Sequence, residues 1–166
     1  MIYWKKIIFQ KKLKLNPKMV AFMHVSNTLG TINDAQRLTS MAKSAGATVL
    51  IDGSQAVPHM IVDVAELDCD FYVFSGHKSY GPTGIGVLYG RKSILEAMNP
   101  WRGGGEMIDV VSLEKGTTFA GLPHKFEAGT PHISGAVALG VALQWLTGVG
   151  LKSVMEHETI LSAQAR

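Results

Sequence analysis

Apolar residues along this chain come in short runs, each ending abruptly at polar or breaker residues. Met19 to Val25 (MVAFMHV) is one such run and stops at Ser26-Asn27, which predicts a strand followed by a loop. Asn33-Asp34 offers an N-cap, and Leu38, Met41 and Ala45 then recur with helical spacing until Gly46 closes the segment. Ala47 to Ile51 (ATVLI) predicts a buried strand ending at Asp52-Gly53. A short helical turn is expected over Val64 to Leu67, then a strand over Phe71 to Phe74 that ends at Ser75-Gly76-His77-Lys78. The breaker-rich SYGPTG loop follows, and Ile85 to Tyr89 (IGVLY) returns as another strand. Beyond Arg91 the pattern weakens. Gly103-Gly104-Gly105 and Gly116-Thr117-Thr118 mark a long irregular stretch, before an apolar helix from about Ser134 to Leu146 and an amphipathic one from about Leu151 onward.

Strands alternating with helices predict an α/β fold with a mostly parallel sheet, right-handed crossovers and helices on both faces. In such a sheet the loops after the strands gather at one edge, where ligands bind. Asn27, Asp52, Gln55, Ser75, His77 and Lys78 all follow apolar runs directly, so the topology sends them toward one mouth.

Composition refines this picture. The 166 residues are 46% hydrophobic and 17% charged, which suits a folded, well-buried chain. The formal charge of +3 misleads, because six of the 16 basic residues (Lys5, Lys6, Lys11, Lys12, Lys14, Lys18) crowd the first eighteen positions, where no acid occurs. The body is acidic, and no nucleic-acid surface is expected on it. No apolar run approaches the ~18 residues of a membrane helix, so no membrane partner is expected. Cys69 is the sole cysteine, which excludes an internal disulfide and makes a reducing, cytoplasmic setting the expectation. Cys69 itself is read as a small buried residue, and His124, His132 and His157 lack metal-ligand spacing.

The strand-end residue types suit pyridoxal-phosphate chemistry. A lysine amine condenses with the cofactor aldehyde, a carboxylate keeps the pyridine nitrogen protonated, and neighbouring donors hold the phosphate. The stretches HVSNTLGT, VLIDGSQAVPH, LDCDFYVFSGHKSYGPTGIGVLYG, WRGGGEMI and FEAGTP resemble the SUF-type cysteine desulfurase and selenocysteine lyase family, class V aminotransferase-like enzymes of PLP fold-type I. That resemblance implies Lys78 as the Schiff-base lysine and acid/base, and Asp52 as partner of the pyridine nitrogen. It implies Gln55 at the cofactor's phenolic oxygen, Asn27 close to the substrate, and Ser75 and His77 on the phosphate. Thr130, in FEAGTP, resembles a threonine that reaches the phosphate of a neighbouring subunit, which implies a homodimer.

The implied reaction converts L-cysteine, or L-selenocysteine, to L-alanine and passes sulfur on as a persulfide, with a sulfur-acceptor protein and iron–sulfur cluster assembly downstream. Another class V aminotransferase-like reaction, such as a transamination, and a non-catalytic remnant are the competing readings. The resemblance covers roughly residues 17–166, as the central and C-terminal part of a PLP-binding large domain. Residues 1–16 are expected to be an atypical basic leader that contributes little stability. On this reading the chain is a fragment: the family's phosphate-binding helix, ring-stacking histidine, small domain, nucleophilic cysteine and carboxylate-binding arginine lie outside these residues.

Overall fold

The computed structural model describes residues 2–165 of the chain. A first helix, α1 (Ile2–Leu13), leads into β1 (Met19–Met23), α2 (Ala35–Ser44), β2 (Thr48–Asp52), α3 (Val64–Leu67) and β3 (Phe71–Ser75). A single 3-10 turn (Gly76–Ser79) connects to β4 (Gly86–Gly90), followed by α4 (Lys92–Ala97), β5 (Ile108–Ser112), β6 (Gly116–Phe119), a second 3-10 turn (His124–Phe126), α5 (Ile133–Val149) and α6 (Leu151–Gln164).

The caps explain the boundaries. Asp34 accepts from the Arg37 amide at 3.2 Å and starts α2, and Gly46, at φ +77°, lets the chain turn out of it. Asp63 accepts from the amides of Ala65 and Glu66 to start α3, which Asp68 ends in a left-handed conformation.

The main sheet has the order β1-β2-β3-β4. Its first two pairings are parallel and the last is antiparallel. Residues 76–85 form too short a link for a helical crossover, so β4 can only return beside β3 in the opposite direction. Val49 and Ile51 are fully buried on one face with Tyr72, Cys69, and Ala35 and Ala42 of α2. Val20 and Phe22 stand beside Val49 and Ile51 in register and share that face. Complete burial of one such aliphatic side chain contributes about 1.5–3 kcal/mol.

The helices expected on the second face are placed differently. Met19 and Met23, which alternate with Val20 and Phe22, remain 47% and 45% exposed, and Leu88 on β4 is 59% exposed. α5 instead meets the sheet beyond its C-terminal edge, where Leu139 lies against Gly81 and Trp145 meets Tyr80 edge-on at 5.3 Å. The irregular stretch after Arg91 also contains structure that its weak pattern hides. β5 and β6 form a bulged hairpin closed by Gly116 at φ +81°. β6 is exposed along its whole length and so carries no apolar alternation.

The leader, too, is folded. Phe9 and Leu13 of α1 pack against the core, and Phe9 meets Phe22 edge-on at 6.4 Å. Because Phe9 is half-buried, Phe9→Ala is expected to cost about 2 kcal/mol, roughly half the penalty of a fully buried phenylalanine. That corresponds to a drop of about 4–8 °C in melting temperature for a domain of this size. Deletion of residues 1–15 is expected to lower it further, measured by thermal denaturation followed by circular dichroism. A melting temperature unchanged by both would show that α1 rests on the core without stabilising it.

Candidate active site at the strand ends

The parallel register aligns Met23, Asp52 and Val73 across three strands, so the chain leaves β1, β2 and β3 at a common edge. Side chains alternate along a strand, which puts Asp52 on the opposite face from buried Ile51. Ser75 lies two residues beyond Val73, the partner of Asp52, so the Asp52 carboxylate and the Ser75 hydroxyl share the open face. Asp52 Oδ1 accepts from the Ser54 amide at 2.9 Å. Ser75 occupies the N-cap position of the first 3-10 turn yet makes no capping bond, which leaves its hydroxyl uncommitted.

His77 and Lys78 are exposed on that turn. The turn itself is rigidly held: Gly76 N donates to Ile85 O at 2.8 Å and Gly81 N to Gly76 O at 3.0 Å. Ser79, the next residue after Lys78, is fully buried, and its hydroxyl has no hydrogen-bond partner among the described residues.

Beneath Asp52 lies a support that its sequence position does not announce. The His24 amide donates to Asp52 O at 2.8 Å, and His24 Nδ1 is hydrogen-bonded to the Tyr72 hydroxyl at 2.9 Å. Burial pushes the Tyr72 hydroxyl's pKa up and that of His24 down, so both stay neutral. The Tyr72 ring fills the space where a Cβ on residue 53 would stand, and only glycine fits there. His24 lies inside the apolar run Met19 to Val25, where a lone imidazole among apolar residues is the one signal that could have marked it.

Asn27 and Gln55 open into a neighbouring cleft of about 730 Å³, together with His59, Met155 and Glu158. Glu158 reaches this wall from α6 and hydrogen-bonds His59 at 2.7 Å; nothing local in the sequence marks it. Thr130 is exposed just before α5 and does not line that cleft. The structure therefore gathers Asp52, Ser75, His77 and Lys78 on one strand edge and sets Asn27 and Gln55 beside them, while Thr130 is exposed outside the cleft that Asn27 and Gln55 line.

The opposite edge of the sheet has a structural network. Asp70 accepts from the Val49 amide at 2.8 Å and from Arg91 Nε at 3.3 Å, while Arg91 and Lys43 both pair with Asp68. Those two cations hold the Asp68 carboxyl below its ordinary pKa. Cys69 lies in this region, fully buried, and burial pushes its thiol pKa up.

The strand-edge groups form a donor set of one amine, one carboxylate, one hydroxyl and one imidazole. Lys78, His77 and Ser75 enter no ion pair or side-chain hydrogen bond among the described residues. An unengaged amine beside an unengaged hydroxyl and imidazole, with a carboxylate on the adjacent strand end, fits a phosphorylated pyridine aldehyde.

Comparison with known proteins gives a consistent result. The aminotransferase class-V family pattern matches residues 5–166. A cysteine desulfurase of Serratia proteamaculans (strain 568) is 55% identical over 144 residues, which cover 87% of this chain and 36% of that protein. The chain thus spans about a third of the length of the curated relatives it matches. The apo structure of a cysteine desulfurase from Thermococcus onnurineus NA1 superposes with a TM-score of 0.88 at 41% identity, covering 94% of this chain and 39% of that one. A variant of the lyase C-DES, solved with glycine covalently linked to its PLP cofactor, superposes with a TM-score of 0.73 at 25% identity, covering 84% of this chain and 38% of that one.

Proposed function

Because the chain belongs to the aminotransferase class-V family, we propose that it is the cofactor-anchoring part of a PLP-dependent cysteine desulfurase. The observation that carries this reading is the placement of Asp52 and Lys78 on the exits of adjacent parallel strands. When bound, pyridoxal phosphate supplies an aldehyde that condenses with amines and a ring that accepts electron density from the substrate's α-carbon.

The chain's own residues do the rest. Lys78 Nζ would hold the cofactor through its aldehyde until the substrate amine takes its place, and the freed amine would then take the proton from the substrate Cα and return one to the product. The Asp52 carboxylate would accept the hydrogen bond of a protonated ring nitrogen, and its hydrogen bond from the Ser54 amide keeps that carboxylate oriented. Ser75 Oγ and His77 would donate to the phosphate, Gln55 would donate to the phenolic oxygen, and Asn27 would stand near the substrate. Thr130 would reach the phosphate of a second copy, which would make the whole protein a homodimer with shared sites.

In the whole protein a thiolate attacks the sulfur of L-cysteine. The S–S bond of a persulfide forms, the substrate's C–S bond breaks, and the carbon skeleton leaves as L-alanine. L-Selenocysteine is the alternative substrate of the same chemistry. A sulfur-acceptor protein receives the persulfide sulfur for iron–sulfur cluster assembly in a cytoplasmic setting.

The test is product analysis on the whole protein with pyridoxal phosphate, L-cysteine and a dithiol. Equimolar alanine and sulfide are expected. A 2-oxoacid product with amino transfer would replace desulfuration by transamination, and no cofactor-dependent product at all would leave the chain a non-catalytic remnant.

A further inference from the structure

We propose that His59 and Glu158 are a positioning pair that holds α6 as the second wall of the cleft containing Asn27 and Gln55, and thereby seats the small amino-acid substrate. This rests on the reading of the strand edge as the active site. His59 Nδ1 and Glu158 Oε1 lie 2.7 Å apart although 99 positions separate them in sequence, and both line the cleft of about 730 Å³.

On one side of the pair the chain is stiff. Gly53 O accepts from the amides of Ala56 and Val57 at 2.8 and 3.0 Å, and Ala56 O accepts from those of His59 and Met60 at 3.0 and 2.8 Å. Two successive turns therefore connect His59 to Gln55, and fully buried Pro58 fixes them to the body. On the other side the chain is loosely held. None of the described residues of α6 is buried, and α6 departs from α5 at Gly150 with a bend of 71°. A helix with so little apolar anchoring needs a polar attachment to keep a fixed position, and the pair is the attachment that reaches the strand edge. A displaced α6 would widen the cleft on the side facing Gln55.

The pair is half-exposed, so its expected effect is modest, roughly fivefold in an opening equilibrium. Amide hydrogen exchange read by mass spectrometry on the 166-residue chain without cofactor tests it directly. Glu158→Ala and His59→Ala are each expected to speed exchange across residues 155–164 about fivefold. The double variant should add nothing further, because the two side chains act as one unit. Glu158→Gln, whose side-chain carbonyl still accepts from His59, should stay close to native. Unchanged exchange in both single variants, or additive effects in the double, would overturn the pair.

In the whole enzyme Glu158→Ala is expected to raise KM for cysteine several-fold with kcat nearly unchanged. A native KM alongside the altered exchange would refute the seating role. A whole protein without desulfurase activity but with the exchange pattern intact would instead count against the proposed reaction while the positioning pair stands.

Discussion

Given pyridoxal phosphate, L-cysteine and a reductant, the 166-residue chain on its own is expected to release sulfide no faster than the same mixture without protein. Desulfuration needs a thiolate placed against the substrate sulfur, and Cys69 is the only thiol in the sequence. It is fully buried, and burial raises its pKa and keeps it protonated. It also precedes β3 whereas Lys78 follows it, so the five residues of that strand, about 17 Å, lie between them. Correct placement of reacting groups contributes on the order of 7–11 kcal/mol, so its lack should slow turnover by about 10⁵-fold or more. Cys69→Ser should therefore leave the background rate unchanged. Turnover abolished by Cys69→Ser would make that residue the nucleophile. Turnover that survives Cys69→Ser but not Lys78→Ala would show a thiol recruited from another molecule.

The second large effect is expected in the whole enzyme. Lys78→Ala should lower kcat by on the order of 10⁴-fold, since in the proposed mechanism one amine would both anchor the cofactor and move the α-proton. The variant should also release its cofactor on dialysis, while its melting temperature stays close to that of the native protein stripped of cofactor. An exposed side chain on a turn held by backbone bonds contributes little to stability. Partial recovery of activity with added small amines is the expected signature of a lost acid/base. Native activity in Lys78→Ala would remove this residue from the mechanism.

Much of this was legible in the sequence, for identifiable reasons. β1, β2 and β3 are short apolar runs cut off by polar residues, and period and punctuation agree at each of them. The polar residues that end those runs arrive at one edge because parallel strands leave no other place for them. What stayed hidden depends on long-range packing. α1 reads as a basic leader because its lysines dominate the composition, yet Phe9 and Leu13 suffice to dock it on the core. The β5–β6 hairpin is too exposed to show alternation. Glu158 belongs to the cleft only through a contact made 99 positions away, and in sequence Tyr72 is one more strand aromatic, although its hydroxyl holds His24 and its ring excludes a side chain at Gly53.

Lys78, on the exit of β3, is the residue proposed to bind pyridoxal phosphate covalently. Incubation of the chain with the cofactor, borohydride reduction, proteolysis and peptide mass mapping test it most directly. The pyridoxyl mass is expected on the peptide carrying Lys78, at near-stoichiometric yield, with no specific label in Lys78→Ala. An equal label on another lysine, with Lys78→Ala labelled as strongly as the native chain, would contradict it.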